Sequence, residues 1–370
     1  MKKVLITGGA GFIGSHLADE LIGQGYHVRV IDNLLPQVHG LEQKRPDYLN
    51  PEVELIIGDV RNADMLRRAL QGIDVVYHLA AAVGVGQSMY EIESYTSTNN
   101  LGTAVLLEAL IEKPVERLVV ASSMSIYGEG SYASVSSIPP LIPCRTLEQL
   151  KAGQWDICDI QGEKLIPLPT AENKVPALAS IYALSKYDQE RMCLLVGEAY
   201  GISTVALRFF NIYGTRQSLS NPYTGVLAIF ASRYLNNNSP LIFEDGKQLR
   251  DFVSIHDIVQ ACRLAMEANG VGGKVFNIGS GQCFTVLEVA QLMGQALNKS
   301  NHPLVTEKYR AGDIRHCFAD ISLAREVLGY QPQVSLSDGL IEFAIWLEGQ
   351  EAFDNVSMAS AELAARGLSV

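Results

Sequence analysis

Glycines at positions 8, 11 and 14 stand between an apolar run, Lys3–Thr7, and a helical pattern that continues through Leu21. No other feature limits the fold as severely. A strand that passes through a G-x-x-G-x-x-G turn straight into a helix lets its backbone approach a ligand closely, because glycine has no Cβ. The helix start then presents unpaired N–H groups, which suit a pyrophosphate. Phe12 and Ile13 fall at that start and are expected beside the same ligand, with Gly8, Gly11 and Gly14. A second apolar strand, His27–Asp32, ends in a carboxylate about 20 residues after the glycines, followed by Asn33. An acid there accepts hydrogen bonds from an adenosine ribose and repels a 2'-phosphate, so NAD is expected rather than NADP.

Further short apolar runs at 53–57, 74–79, 116–121 and 203–208 alternate with helical patterns at 63–70 and 98–111. This alternation predicts an α/β fold, a Rossmann-type doubly wound parallel sheet. Its ligand belongs outside the C-terminal strand ends, where Asp59, Ala80 and Ser122-Ser123 fall. After about residue 210 the elements become shorter, turns more frequent and arginines more widely spaced, with one clear helical pattern at Val226–Leu235.

Ser180-Ile181-Tyr182-Ala183-Leu184-Ser185-Lys186 sets a tyrosine and a lysine four residues apart in a helical stretch, on one face. A phenol titrates near pH ~10 and is a poor base at neutrality, but a neighbouring cation lowers that value. The spacing alone is common; its place after a cofactor loop gives it meaning.

Taken in order, these motifs resemble an extended short-chain dehydrogenase/reductase of the NAD-dependent nucleotide-sugar epimerase/dehydratase family. The resemblance covers residues 1–348. It rests on the glycine loop, Gly58-Asp59-Val60, His78-Leu79-Ala80-Ala81, Asn99 ahead of Gly102-Thr103, and Ser122-Ser123 ahead of Tyr127-Gly128. Tyr182/Lys186, Arg208-Phe209-Phe210-Asn211-Ile212-Tyr213-Gly214 and Arg250-Asp251-Phe252-Val253 complete it. The family implies an NAD-binding domain at 1–210, with a partly interleaved, smaller α/β substrate domain at 211–348 and a tail at 349–370. It implies Asp59 and Val60 against the adenine, and Leu79, Ala80, Ala81 and Asn99 along the dinucleotide. Ser123 would bind the reacting sugar hydroxyl, Tyr182 would act as base, and Lys186 as its tuning charge. Ser125, Asn211, Arg250 and Arg310 would meet a nucleotide-diphosphate sugar, the two arginines gripping its phosphates through paired donors.

Relatives that eliminate water carry an acidic pair after the position of Ser123, and uronic-acid decarboxylases carry Glu at that of Ser125; Met124 and Ser125 supply no carboxylate. The resemblance thus favours a 4-epimerase working through a transient 4-keto sugar, nearest the dTDP-L-rhamnose 4-epimerase branch, a choice that Asn221-Pro222-Tyr223-Thr224-Gly225-Val226 supports. A UDP-glucose/UDP-galactose 4-epimerase, a 4-ketosugar reductase and a non-catalytic NAD-binding regulator are the alternatives. Such enzymes often pair through helices at 98–111 and 182–199, so a homodimer is expected.

Between Tyr127 and Tyr182 lies an insert, 129–178, far longer than a minimal member needs, with Pro139-Pro140, a helical 146–151 and Cys158-Asp159-Ile160-Gln161-Gly162. A lid or substrate-selecting element is expected, against a surface excursion without function. The Cys158 stretch looks like half a metal knuckle with its second cysteine replaced, so no metal is expected. The six cysteines are scattered, which fits free thiols in a reducing cytoplasm. A net charge of −11 argues against nucleic acid or an anionic membrane as partner, and no apolar run is long enough for a membrane span or a signal peptide. The 349–370 tail is expected to be an exposed helix or partly disordered.

Overall fold

The structure, a computed structural model, describes residues 2–135, 143–223, 225–310 and 313–368. Pro139-Pro140 of the insert, Thr224, the Ala311-Gly312 pair after Arg310 and the last two tail residues lie outside them.

Seven parallel strands form the central sheet: β1 (Lys3–Thr7), β2 (His27–Asp32), β3 (Glu54–Ile57), β4 (Val75–His78), β5 (Arg117–Ser123), β6 (Ser203–Phe209) and β7 (Val275–Ile278). Their order is β3-β2-β1-β4-β5-β6-β7. The near-continuous apolar runs follow from this position, since a strand covered by helices on both faces buries every side chain. Strand order reverses between β1 and β4, and the crevice this opens is where an α/β sheet takes its ligand.

One face is covered by the Phe12–Gly23 and Ile255–Glu267 helices, which pack on Val4, Ile6, Val30 and Val119. The other is covered by the Ala63–Ala69, Gly102–Glu112 and Ile181–Tyr200 helices, packed on Leu5, Val76, Leu118 and Val120. The Gly102–Glu112 helix begins later than expected, because Thr96–Leu101 forms a wider π turn before it. The 20-residue Ile181–Tyr200 helix has clear local causes. Ser180 caps it by accepting from the Ala183 N–H at 3.1 Å, and Gly201 ends it in the left-handed region at φ +70°.

A second core lies under Val226–Leu235, Val286–Ala296 and Leu336–Leu347. The chain crosses between the two parts, since the Ile255–Glu267 helix and β7 belong to the main sheet.

The insert has structure of its own. Ser131–Ala133 pairs antiparallel with Ile166–Leu168, and Tyr132, Ile157 and Leu165 make a small core. Thr146 and Gln149 form a capping box on the Leu147–Lys151 helix. A buried ion network then fastens the insert to the second part: Arg145 to Glu244 at 2.7 Å, and Arg315 to Asp156, Glu244 and Asp245 at 2.6–3.0 Å.

The tail departs from expectation. Its Val356–Ala365 helix buries Ala359 and Leu363, and Leu363 lies against Gly86. Glu362 accepts from the hydroxyls of both Tyr90 and Tyr223. The apolar pair at i and i+4 gives this helix one seam to bury, too short to stand out in the sequence.

Candidate active site

The cofactor cradle follows from local geometry. Gly8 has φ +69°, and a Cβ there would come within 2.8 Å of the Ala80 backbone. A Cβ on Gly14 would lie 2.4 Å from the Gly9 Cα. The Phe12–Gly23 helix has Gly11 at its N-cap and no side chain capping it, so its first N–H groups point out unpaired toward the crevice. The buried Asp32 carboxylate stands beside this turn, accepting from Ala10 N–H at 3.0 Å and Leu34 N–H at 2.9 Å. Each oxygen keeps a lone pair for a ribose hydroxyl. A glycine-lined anion cradle with an acid beside it fits NAD.

Asn33 donates to Asp59, which the Arg61 guanidinium holds in a two-pronged pair, pulling the carboxyl down to about 2. Asp59 is therefore charged, with its charge answered by Arg61. Val60 is buried, against Gly102. Leu79, Ala80 and Ala81 follow β4 at the switch point, with the Ala80 N–H donating to Thr7 Oγ1. The Asn99 side chain turns into the protein. Its amide accepts from Ala82 N–H at 2.7 Å and donates to Ala82 O and Ser185 Oγ. Asn99 shapes the loop that would face NAD.

At the end of β5, the Ser123 hydroxyl lies near enough to the Tyr182 phenol to act on it. Ser123 Oγ accepts from the Ser125 N–H at 3.1 Å and lies 2.9 Å from the Ser125 hydroxyl oxygen. With the Ser125 N–H occupying one lone pair, the Ser123 hydroxyl can share its proton with Ser125 Oγ or offer it to the Tyr182 oxygen. Burial raises the phenol above its ordinary value, and the Ser123 hydroxyl acts against that rise. Tyr182 also sits in the first turn of its helix, where the helix dipole favours a phenolate. Its own N–H is held by Ser88 Oγ at 3.0 Å.

Lys186 is buried, and burial lowers its ammonium to about 8. It hydrogen-bonds Gln189 Oε1 at 2.6 Å, with no bond to Tyr182 among the described residues. Gln189 was not a candidate from sequence, although its i+3 spacing from Lys186 was a usable signal. Also missed was a buried chain across five elements. Ser122 donates to Glu190, which pairs with Arg208 at 2.7 Å; Arg208 donates to the Tyr127 hydroxyl, and that hydroxyl to Asn277 at 2.6 Å.

On the substrate side, both hydrogens of the Asn211 amide are used, toward Asp251 O and the Met124 sulfur, leaving its oxygen to accept from a ligand. Arg250 spends three of its five N–H groups on the carbonyls of Leu249, Ile314 and Arg315. Its remaining two can meet a phosphate oxygen. Arg310 is half-exposed, paired with Asp313 at 3.0 Å and laid over the Phe243 ring. Asp313 takes the Arg310 Nε–H, and no bond from its terminal N–H groups occurs among the described residues. The insert returns to the site: Ala177 N–H donates to Ile126 O, and Lys174 to Tyr127 O. Its Cys158 turn is closed by Asp159, which accepts from the Gln161 and Glu163 N–H groups. Among the described residues no three His, Cys, Asp or Glu side chains gather as metal ligands, and no helix is long and apolar enough to cross a membrane.

A doubly wound sheet with a dinucleotide cradle at its switch point, and a Ser/Tyr pair with a buried lysine one turn on, define an NAD-dependent enzyme of the short-chain dehydrogenase/reductase type. The family model described as NAD dependent epimerase/dehydratase family matches residues 4–147 and 161–279. A dTDP-L-rhamnose 4-epimerase of Burkholderia thailandensis is 34% identical over 94% of this chain and 95% of its own length. A UDP-glucose 4-epimerase of Thermotoga maritima, solved with UDP-glucose, superposes with a TM-score of 0.77 at 31% identity, covering 94% of this chain and 98% of that one. The UDP-glucuronic acid 4-epimerase of Bacillus cereus, solved with UDP-glucuronic acid and NAD, gives 0.76 at 31% identity, covering 94% and 99%. This chain belongs to the NAD-dependent epimerase/dehydratase family. It is an enzyme of the nucleotide-sugar epimerase class with NAD as cofactor.

Proposed function

We propose that the protein is a 4-epimerase of a dTDP-6-deoxyhexose such as dTDP-L-rhamnose. The observation that carries the chemistry is the Ser123–Tyr182 pair at the end of β5, with Lys186 one turn along the helix. The sugar C4 hydroxyl gives its proton to Tyr182 Oη, and Tyr182 returns it when the 4-keto sugar has turned in the pocket. Ser123 holds the sugar oxygen by turning its hydroxyl to the substrate. Lys186 supplies positive charge one turn along the helix. The glycine cradle and Asp32 would hold NAD, which supplies hydride acceptance at C4 and its return, so that no net oxidation results. Asn211 and the spare donors of Arg250 serve the nucleotide sugar, with Ser125 orienting Ser123 and Arg310 at the rim. Ser123-Met124-Ser125 holds neither an acid pair for elimination nor a cation for a uronate. The 34% identical relative and the thioether of Met124 beside Asn211 support a 6-deoxy sugar over a more polar one. UDP-glucose epimerisation is the second reading, favoured by the likeness to the Thermotoga structure.

The test is to incubate the enzyme separately with dTDP-L-rhamnose and UDP-glucose, without reductant, and follow inversion at C4 by NMR. Tyr182→Phe should lower turnover by about 10³-fold or more while NAD stays bound; substantial residual activity excludes Tyr182 as base. A need for stoichiometric NADH would instead identify a reductase. The insert is read as the substrate-selecting element, since it is anchored in the second part and ends at the turn after Ser123. A homodimer is supported by exposed Leu184 and Leu195 on the Tyr182 helix and Leu101 before the adjoining one, and sedimentation would test it.

A further inference from the structure

We propose that Gln189 is a positioning residue for catalysis: its side-chain carbonyl holds the Lys186 ammonium in one place and so sets the field at the Tyr182 oxygen one turn earlier. The proposal rests on the reading of Tyr182 as base.

With the Thr103 hydroxyl donating to Asn99 O, the shortest buried bonds around Gln189 fit one arrangement of protons, in which the 3.3 Å approach of Gln189 Nε2 to His78 Nε2 is a contact and not a bond. Thr103 donates its hydroxyl to Asn99 O at 2.5 Å, so its oxygen can only accept from its other neighbours. His78 Nε2 lies 2.8 Å from that oxygen and must carry a hydrogen to donate. His78 Nδ1 is then the acceptor for the Thr7 hydroxyl at 2.8 Å, and Thr7 accepts in turn from Ala80 N–H. The imidazole is neutral, which agrees with burial lowering it to about 3. Gln189 Nε2 donates the second bond to Thr103 at 2.9 Å, which orients the amide. Its Oε1 must therefore face Lys186, where it accepts at 2.6 Å. A lysine that could otherwise swing is fixed to β1 and β4 through a chain of defined polarity.

The charged and titratable groups around the pair do not replace this contact. Glu190, on the same helix, spends both oxygens on Arg208 and Ser122. Cys193 is a buried thiol whose pKa is pushed up to about 12. His78 from β4 is neutral, and Tyr95, facing Tyr182 from the Ile92–Tyr95 turn, is an un-ionised phenol raised by burial. Without Gln189 the ammonium keeps no hydrogen-bond acceptor in this network and loses its proton more readily. Tyr182 then loses the nearby cation.

The experiment uses the NAD-loaded full chain as wild type, Gln189→Met, Gln189→Glu and Tyr182→Phe. The Tyr182 phenolate is followed by ultraviolet difference titration, with Tyr182→Phe as the blank, beside the pH profile of turnover. Gln189→Met should raise the phenol midpoint and the acid limb of kcat by about one pH unit, lowering kcat about tenfold near neutrality with recovery at higher pH. Gln189→Glu keeps an acceptor for Lys186 but its carboxylate cancels the ammonium field, so the midpoint should rise in the same direction. That variant also carries the test if Gln189→Met does not fold. Unchanged midpoints, with any activity loss uniform across pH, would overturn the proposal and leave Gln189 a packing residue. If wild type inverts no nucleotide sugar, the functional reading fails, while the phenolate titration still decides on Gln189.

Discussion

Gly14 tolerates no side chain. A Cβ there would sit 2.4 Å from the Gly9 Cα and 2.6 Å from the Gly8 carbonyl oxygen, and both are backbone atoms that cannot rotate away. Gly14→Ala should cost about 1–3 kcal/mol of strain in the cradle, or about 10- to 100-fold in NAD affinity. Calorimetric titration of NAD into cofactor-free enzyme measures this, and an unchanged Kd would show that the loop relaxes freely. This requirement was legible in the sequence because it is local: glycines three apart between a strand and a helix allow few shapes. The same holds for Asp32 and for the capped helix of Tyr182. Gln189 was not legible in this way. Its spacing from Lys186 is visible in the sequence, but Thr103, which orients its amide, is brought beside it only by the fold.

At the scale of elements, the Tyr182 helix is held to its neighbours by polar contacts buried among apolar ones. Glu190 pairs with Arg208 of β6 at 2.7 Å, and both side chains are almost fully buried. Glu190→Ala would strand a guanidinium in the interior and should destabilise the protein by about 3–5 kcal/mol, with Glu190→Gln costing less because it keeps a hydrogen bond. Denaturant unfolding reads both, and a change under about 1 kcal/mol for Glu190→Ala would mean that Arg208 finds another partner. The insert and tail show where element-level reading stops. Short helices such as Leu147–Lys151 announce themselves by their caps. Their docking depends on single contacts, Arg145 with Glu244 or Glu362 with two tyrosines, that leave no periodic trace.

The whole molecule carries a pH dependence that belongs to no one element. Burial, the first cause in each, lowers His16 to about 4, His78 to about 3 and His316 to about 3, against an ordinary 6.5. The unfolded chain binds protons near pH 6.5 that the folded chain refuses until these lower values. Stability from the three histidines is therefore present above pH 6.5 and is lost as pH falls through 6.5 toward 4, by at most about 4 kcal/mol per unit. Buried Asp251, raised to about 6, works the other way, adding stability as pH falls below 6. The balance of these four groups predicts a net loss of about 4 kcal/mol between pH 7 and 5; equal unfolding free energies at the two pH values would contradict it.

The sequence by itself determined the doubly wound sheet, the glycine cradle and the Tyr182/Lys186 spacing, because each is written within a short run of chain and dictated by backbone sterics or periodicity, while Ser123 was picked out only by the family resemblance. Only the tertiary structure decided that Asn99 turns inward against Ala82 and Ser185, that the tail docks, and that Thr103 orients the Gln189 amide. Those outcomes depend on hydrogen-bond capacity being shared among buried groups far apart in the chain, and that sharing is defined only once the sheet has brought them together.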